Sequence, residues 1–242
     1  MQNLAKYLAQ HSEVNWIARI EGPWDFSFTV RVKQLLELST FLDNFKHKFH
    51  PFLNRIVMAV NIQVDFFARE YLVGAVRKSD SYIGYTAPSE SQIAPDKKEI
   101  SILHLLSESP RLTLSELAQQ VGISEFTARS KVNSLIEKGI LKGTRLNINP
   151  EAIGVLNYYV LLYLHPVSQK RLNEFISYCR RNSRVTYIVK ALGDWDYELN
   201  LEVSSVKHYR EIIMDLTKDF SDVIQDYSGM MITDLLKLTL VP

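Results

Sequence analysis

The spacing of hydrophobic residues divides the chain into regions of two kinds. Over residues 1–74 and 150–242, short runs in which apolar and polar residues alternate, such as WIARI, FSFTV and YELNL, predict β-strands, and apolar residues at helical spacing lie between them. Residues 95–149 carry helical spacing in three successive runs, followed by a segment that we expect to be extended. The Gly, Pro and Ser content of the intervening stretch predicts a linker over residues 75–94.

The two strand-containing regions repeat each other. Residues 11–32 align without a gap with residues 182–203. The constant offset of 171 positions places Gly22 over Gly193. Each copy predicts a helix, two strands joined by a glycine-containing turn, a second helix and a final strand. We interpret the two copies as a pseudo-dimer; the alternative is an ancient duplication that only fills a core.

The middle region predicts a helix-turn-helix. The run DKKEISILHLL forms a first helix. Thr113 lies three residues before Glu116, which is the pattern of a capping box, and Gly122 ends this second helix. Ser124 caps a third helix, and the short turn VGIS lets that helix cross the second and enter a major groove about 12 Å wide. The alternative is a winged helix that binds another protein.

The third helix and the segment after it predict a surface for DNA. Four residues at helical spacing can face the core, namely Ala128, Val132, Leu135 and Ile136. This leaves Glu125, Phe126, Arg129, Ser130 and Asn133 exposed or partly so. Five basic residues stand against two acidic ones between Ser124 and Arg145, a local net charge of +3. The expected recognition surface consists of Ser124, Glu125, Thr127, Arg129, Ser130, Lys131 and Asn133, and the expected phosphate contacts are Lys142 and Arg145 in ILKGTRLNINP.

Composition limits the other classes of function. The 28 Lys and Arg nearly cancel the 27 Asp and Glu, so any DNA site must be local. The single Cys179 excludes an intrachain disulfide and indicates the cytoplasm, and no apolar run approaches the roughly 20 residues that span a bilayer. The histidines, including the pair His47 and His50, show no metal-ligand spacing, and no catalytic motif occurs. We therefore expect no enzyme, no cofactor, no metal and no membrane partner.

The string from Asp96 to Gly154 resembles the DNA-binding part of the Lrp/AsnC (leucine-responsive regulator) family. Residues 155–242 resemble the regulatory (RAM) domain of that family. This resemblance implies a sequence-specific transcriptional regulator that binds double-stranded DNA. The matching positions in the first part are Asp96, Ile102, Leu103, Arg111, the runs 116–118 and 121–124, Leu135, Gly139, Ile140 and Gly143.

The resemblance also implies an effector, an amino acid or related metabolite bound between paired regulatory domains. The implied effector residues are those of the characteristic glycine turn, namely Gly193, Asp194, Trp195 and Asp196. Either carboxylate can accept hydrogen bonds from an α-ammonium group, and glycine permits close approach. The alternative is that Gly193 and Asp194 simply build the hairpin turn. In the first copy Pro23 removes the backbone donor that Asp194 keeps, so the two turns are not equivalent.

The predicted architecture is α+β, a winged helix-turn-helix over residues 95–149 flanked by two ferredoxin-like domains. The run VLNYYVLLYLH gives residues 150–242 the opening strand of a β-α-β-β-α-β order, and residues 1–74 lack it. The closing strand VNIQVDFF thereby loses a neighbour. We expect either a longer chain, with another winged helix and an opening strand before Met1, or a strand borrowed from YLVGAVR or from a partner chain.

Two functions remain open on the sequence. The first is a DNA-binding regulator whose regulatory domains pair within the chain or in a homo-oligomer. The second is an amino-acid-sensing regulatory subunit that docks on a partner enzyme through its winged helix. Salt dependence separates them, because binding to phosphates through Lys and Arg weakens steeply with added salt and docking through an apolar face does not.

Overall fold

The computed structural model describes residues 2–75, 82–86 and 94–239. The chain forms two compact units. The first combines Met1–Thr86 with Asn147–Leu238, and the second consists of Ala87–Leu146 with Thr239–Pro242. The two segments that repeat each other in sequence therefore fold together in one unit.

Helices and strands follow one another in three groups along the chain. The first group is α1 (Gln2–Gln10), β1 (Val14–Glu21), β2 (Phe26–Val30), α2 (Leu35–Phe49), β3 (Ala59–Phe67) and β4 (Tyr82–Thr86). The second group is α3 (Lys97–Glu108), α4 (Leu114–Val121) and α5 (Glu125–Glu137). The third group is β5 (Leu156–Leu164), α6 (Gln169–Arg181), β6 (Val185–Gly193), β7 (Tyr197–Val203), α7 (Val206–Asp219) and β8 (Ile224–Leu238).

The strands of the first unit form one eight-stranded antiparallel sheet in the order β2-β1-β8-β5-β7-β6-β3-β4. The strands of the third group lie together in its middle, with the opening strand β5 between β8 and β7. The strands of the first group divide between the two sides. The hairpin of β1 and β2 extends the sheet beside β8, and β3 extends it beside β6.

The pairing between the two segments is reciprocal. The strand after the first helix of each copy pairs with the final strand of the other, β1 with β8 and β6 with β3. The registers correspond as well: Glu21 lies opposite Met231, and Leu192 lies opposite Val60. These two pairs are related by the same offset of 171 positions that relates the sequences. Such self-complementary contacts are those of a two-fold interface, formed here within one chain.

The strand beside the free side of β3 comes from the segment expected to be a linker. Tyr82–Thr86 pairs with β3 from Gln63 to Phe67, and the described part of YLVGAVR forms a 3-10 turn at Glu70–Leu72 instead. The described part of YLVGAVR, residues 71–75, thus forms no strand, and the segment expected to be a linker supplies one instead. Gly84 lets β4 lie directly against β3, because a Cβ atom at that position would lie 2.9 Å from the Asp65 carboxylate.

Three hydrophobic clusters hold the unit together. Helices α6 and α7 cover one face of the middle strands, with Phe175 and Leu216 in the core. Helices α1 and α2 cover the β1–β2 hairpin, with Leu8 and Phe45 in the core. The third cluster joins Ala18, Ile20, Tyr159, Leu161 and Met230 to the aromatic rings of Trp16, Trp24, Tyr163, Tyr187 and Trp195. Because it draws on both segments, this cluster buries apolar sheet surface that one segment alone would expose.

Buried ion pairs also join the segments. Arg69, just after β3, donates from Nε and Nη2 to the Glu202 carboxylate on β7 at 2.8 and 2.7 Å. The Glu202 side chain is 1% exposed, and Tyr71 also donates to it. In the same interface Arg180 on α6 pairs with Asp65 on β3, whose side chain is 4% exposed. A carboxylate buried this deeply depends on its partner, because its loss leaves a charge that water cannot reach.

We expect Arg69→Met to lower the free energy of unfolding of the first unit by about 3–5 kcal/mol, the usual effect of breaking a buried pair. The matched control is Arg19→Met, because the Arg19 pair with Asp234 is 37% and 48% exposed. That loss should stay below about 1 kcal/mol. Urea unfolding followed by tryptophan fluorescence measures both, since Trp16, Trp24 and Trp195 are the three tryptophans of the chain and all lie in this unit. Equal losses in the two variants would contradict the assignment.

Candidate nucleic-acid interface

Side-chain caps define the helices of the second unit. The Asp96 carboxylate accepts hydrogen bonds from the backbone N–H groups of Lys98 and Glu99, both at 2.9 Å, and begins α3. Thr113 and Glu116 form the expected capping box at the start of α4. Each cap satisfies backbone N–H groups that have no partner within the helix. The helix starts expected from the sequence are confirmed.

A three-residue turn joins α4 to α5. Gly122 ends α4 in the left-handed conformation, with φ of 70°, which residues with a Cβ atom rarely adopt. Ser124 then caps α5 by accepting from the backbone N–H of Thr127 at 3.1 Å. The side chains of Ala128 and Leu135 are fully buried and fix the inner face of α5. The expectation that Ile136 also faces the core was wrong, because its side chain is 54% exposed. This arrangement is a helix-turn-helix in which α5 has the position of a recognition helix.

The outer face of α5 carries most of the residues expected to meet DNA. Arg129 is 61% exposed and its guanidinium lies 3.5 Å from the Glu125 carboxylate. This surface pair is weak, so the guanidinium can leave the carboxylate for another acceptor at little cost. Thr127 is half-buried by its contact with the Ser124 hydroxyl. The exposed members of the outer face are Ser124, Glu125, Phe126, Arg129, Ser130 and Asn133.

Lys131 lies on a different face from the one expected. Its ammonium group donates to the Asp96 carboxylate at the start of α3, and its side chain is only 21% exposed. Ser134 and Lys138, one and two turns further along, donate to Glu99 at 2.9 and 3.0 Å. This flank of α5 therefore holds α3 in place, because the nearly buried Glu99 carboxylate needs these donors.

The segment after α5 has no regular secondary structure over the described residues 141–149. Lys142 within it is exposed and Arg145 is half-buried. Both belong to the second unit, as do the residues of α5. The structure thus places the two expected phosphate contacts in an irregular segment that directly follows the helix-turn-helix.

In the glycine turn, Gly193, Trp195 and Asp196 each contact another part of the fold. Gly193 has φ of 148°, and a Cβ atom there would lie 2.7 Å from the Met58 carbonyl oxygen. The close approach expected for an effector is therefore made by the β3 segment. Asp196 accepts from the backbone N–H of Leu164 at 2.8 Å. The Asp194 side chain is exposed, and its backbone N–H donates to Met58 at 3.3 Å.

Trp195 connects the turn to a buried acid that the sequence did not single out. Its indole N–H donates to the Glu198 carboxylate at 2.8 Å. Glu198 is 4% exposed, and burial raises the pKa of its carboxyl group. The signal in the sequence is the run YELNLEV, whose polar residues alternate with apolar ones as they would on a strand facing solvent. Instead all seven residues of β7 are buried.

In residues 2–75, 82–86 and 94–239 no cluster of three or more His, Cys, Asp or Glu side chains is placed to hold a metal ion. Over those residues, too, no helix combines the length and the apolar character that crossing a bilayer requires.

The contact between Asp96 and Lys131 makes the stability of the second unit depend on pH. The hydrogen bond from Lys131 holds the pKa of Asp96 at about 2, below the ordinary 3.8. The contact is therefore fully present above about pH 4 and is lost as the pH falls towards 2. In Asp96→Asn, which keeps the cap, protection of the α3 and α5 amides from hydrogen exchange should fall less over this range than in the parent chain. Glu108→Gln at the other end of α3 serves as the control. Parallel profiles for Asp96→Asn and the parent would exclude this dependence.

Known proteins are similar to this chain in sequence. Residues 95–142 match the family described as winged helix-turn-helix DNA-binding. The transcriptional regulator LrpA of Pyrococcus horikoshii is 41% identical over 136 residues, which cover 55% of this chain and 86% of that protein. A proline dehydrogenase transcriptional activator of Rhizobium radiobacter is 28% identical over 119 residues, 49% of this chain and 76% of that protein.

Solved structures share the fold. An AsnC family transcriptional regulator from Agrobacterium tumefaciens aligns with a TM-score of 0.54 at 21% identity, over 60% of this chain and 94% of that one. The L-Met complex of a transcriptional regulator from Neisseria meningitidis aligns with a TM-score of 0.55 at 22% identity, over 62% and 96%. Because the chain contains the helix-turn-helix and is 41% identical to LrpA over 86% of that protein, it belongs to the Lrp/AsnC family of transcriptional regulators.

Proposed function

We propose that the chain is a cytoplasmic, sequence-specific regulator that binds double-stranded DNA with α5 in the major groove. The proposal rests on one observation, that the faces of α5 make different contacts. Its inner face packs against the core, its flank holds α3 through Lys131, Ser134 and Lys138, and its outer face has polar side chains with no comparable task. A recognition helix reads base edges through hydrogen bonds from the polar side chains on its outer face.

The proposed contacts follow from side-chain chemistry. Arg129 exchanges the Glu125 carboxylate for O6 and N7 of a guanine, and Asn133 suits N6 and N7 of an adenine. Ser130 can donate to or accept from either base edge. Lys142 and Arg145 contact phosphates, which position the helix without reading sequence. We do not include Lys131 among the residues that contact bases, because its ammonium group already binds Asp96.

We further propose that residues 1–74 and 150–242 are two ferredoxin-like regulatory domains paired as a pseudo-dimer. The third group supports this for the second copy, because its element order and its strand order β8-β5-β7-β6 are those of that fold. The reciprocal pairing of β1 with β8 and of β3 with β6 supports it for the pair. In this proposal the chain itself supplies the regulatory pairing that two subunits would otherwise form, with one helix-turn-helix between the halves.

An amino-acid effector is the proposed signal. The related Neisseria meningitidis structure is a complex with L-Met. In this chain the group suited to an α-ammonium is the exposed carboxylate of Asp194, since Asp196 is engaged with Leu164 and Gly193 with Met58.

Replacement of Arg129 should separate base reading from phosphate binding. On a duplex selected from a random pool, we expect Arg129→Ala to weaken binding by about 1–3 kcal/mol and to relax the preference at one base pair. Arg145→Ala should weaken binding to all duplexes alike. Lys170→Ala, at an exposed lysine on α6, is the control and should change neither. Uniform loss on every sequence in Arg129→Ala would remove this residue from base readout.

Calorimetric titration of the full chain with each of the twenty amino acids tests the effector. We expect one of them to bind and Asp194→Ala to abolish the heat of binding, because the ammonium group loses its acceptor. Asp215→Ala, at an exposed carboxylate on α7, is the matched control and should bind as the parent does. Binding that survives in Asp194→Ala would place the effector elsewhere, and no binding of any amino acid would reject this class of effector.

A further inference from the structure

Phe126 is an exposed aromatic residue at the start of the recognition helix. Its side chain is 82% exposed, more than almost any other large hydrophobic residue in the described parts of the chain. Local structure gives no reason for a phenyl ring there, because Ser124 caps the helix and Ala128 and Leu135 form its inner face. Single exposed apolar side chains are common on protein surfaces, and what distinguishes Phe126 is its place in the first turn of the recognition helix, where contact with DNA would remove its ring from water.

The position of Phe126 on α5 makes it continuous with the outer face already described. Residues three and four positions apart are neighbours on a helix, so Arg129 and Ser130 lie beside it. Helical side chains lean towards the N-terminus, and the N-terminal residues of a recognition helix contact base edges. A helix that brings Arg129 to a guanine therefore also brings Phe126 into the groove.

We propose that Phe126 reads the C5-methyl group of a thymine, an inference that rests on the proposed binding of α5 to DNA. The thymine methyl is the apolar group that base pairs present in the major groove. Three helical residues rise about 4.5 Å, and base pairs stack about 3.4 Å apart. The thymine thus lies one or two base pairs from the guanine read by Arg129. The polar contacts of α5 give the orientation, and Phe126 adds a preference that hydrogen bonds cannot supply.

Deoxyuridine in place of thymidine gives the sharpest test, since it removes the methyl group and keeps the base pair. A duplex selected from a random pool is synthesised with each thymidine replaced in turn, and binding of the full chain is measured. We expect one replacement to weaken binding about fourfold, the ratio for one methyl-sized apolar contact. In Phe126→Ala the same replacement should have no effect, because the ring that contacts the methyl group is gone.

Two further variants make the result specific. Ile136→Ala removes another exposed apolar side chain of α5, 54% exposed, and should keep the fourfold ratio. Phe126→Leu keeps an apolar side chain and should retain part of the ratio, which guards against a loss of binding in Phe126→Ala that leaves nothing to measure.

The outcomes separate this inference from the proposed function. If the parent chain binds no duplex, the proposed function fails. If it binds, and Arg129→Ala relaxes specificity, but deoxyuridine has no effect or has equal effects in the parent and in Phe126→Ala, the methyl contact is overturned and DNA binding stands. Phe126 is then left as a contact for another protein.

Discussion

The reciprocal pairing of β1 with β8 and of β3 with β6 is the constraint on which the first unit depends. It brings two segments that are separated in sequence by the helix-turn-helix into one sheet. It also aligns the aromatic cluster around Tyr159 and places Arg69 and Asp65 against their partners across the interface. Pairing through backbone hydrogen bonds fixes the register, because a shift of one residue would turn every side chain to the opposite face. The buried ion pairs then require the same register, since a displaced carboxylate would be left without its donor.

In the second unit, a single helix, α5, makes a different kind of contact on each of its faces. One face of α5 is apolar, the flank is basic and bound to acids of α3, and the remaining face is exposed and, apart from Phe126, polar. Basic residues on a helix therefore do not share one purpose. Lys131 and Lys138 stabilise the fold through Asp96 and Glu99, whereas Arg129 is held only by a weak surface pair.

Much of the architecture could be predicted from the sequence because its signals are local. The caps at Thr113 and Ser124 each depend on neighbours within three residues, and the structure confirms them. The sequence repeat predicted two related segments. It did not predict which strands would pair across them, because partners distant in sequence are chosen by the fit of whole faces.

Three features of the structure could not be predicted from the sequence alone. Strand β4 lies in a polar stretch whose composition is typical of a linker. It becomes a strand only through its pairing with β3, which is distant enough to leave no local signal. The role of Lys131 depends on Asp96, which lies 35 positions earlier. The run on β7 alternates as an exposed strand would, but both of its acids are buried: Glu202 pairs with Arg69 of the first segment, and Glu198 accepts from Trp195.

A two-fold interface formed within one chain changes what a mutation can do. In a homodimer each substitution occurs twice, at positions related by symmetry, so a change that suits one side is imposed on the other. Here each half mutates alone, and the association of the halves does not depend on protein concentration because a covalent chain joins them. The halves differ at equivalent positions: Glu21 stands where the other copy has Leu192, and Pro23 where it has Asp194. Two halves held in one chain can therefore carry different residues at equivalent positions, which a symmetric dimer cannot.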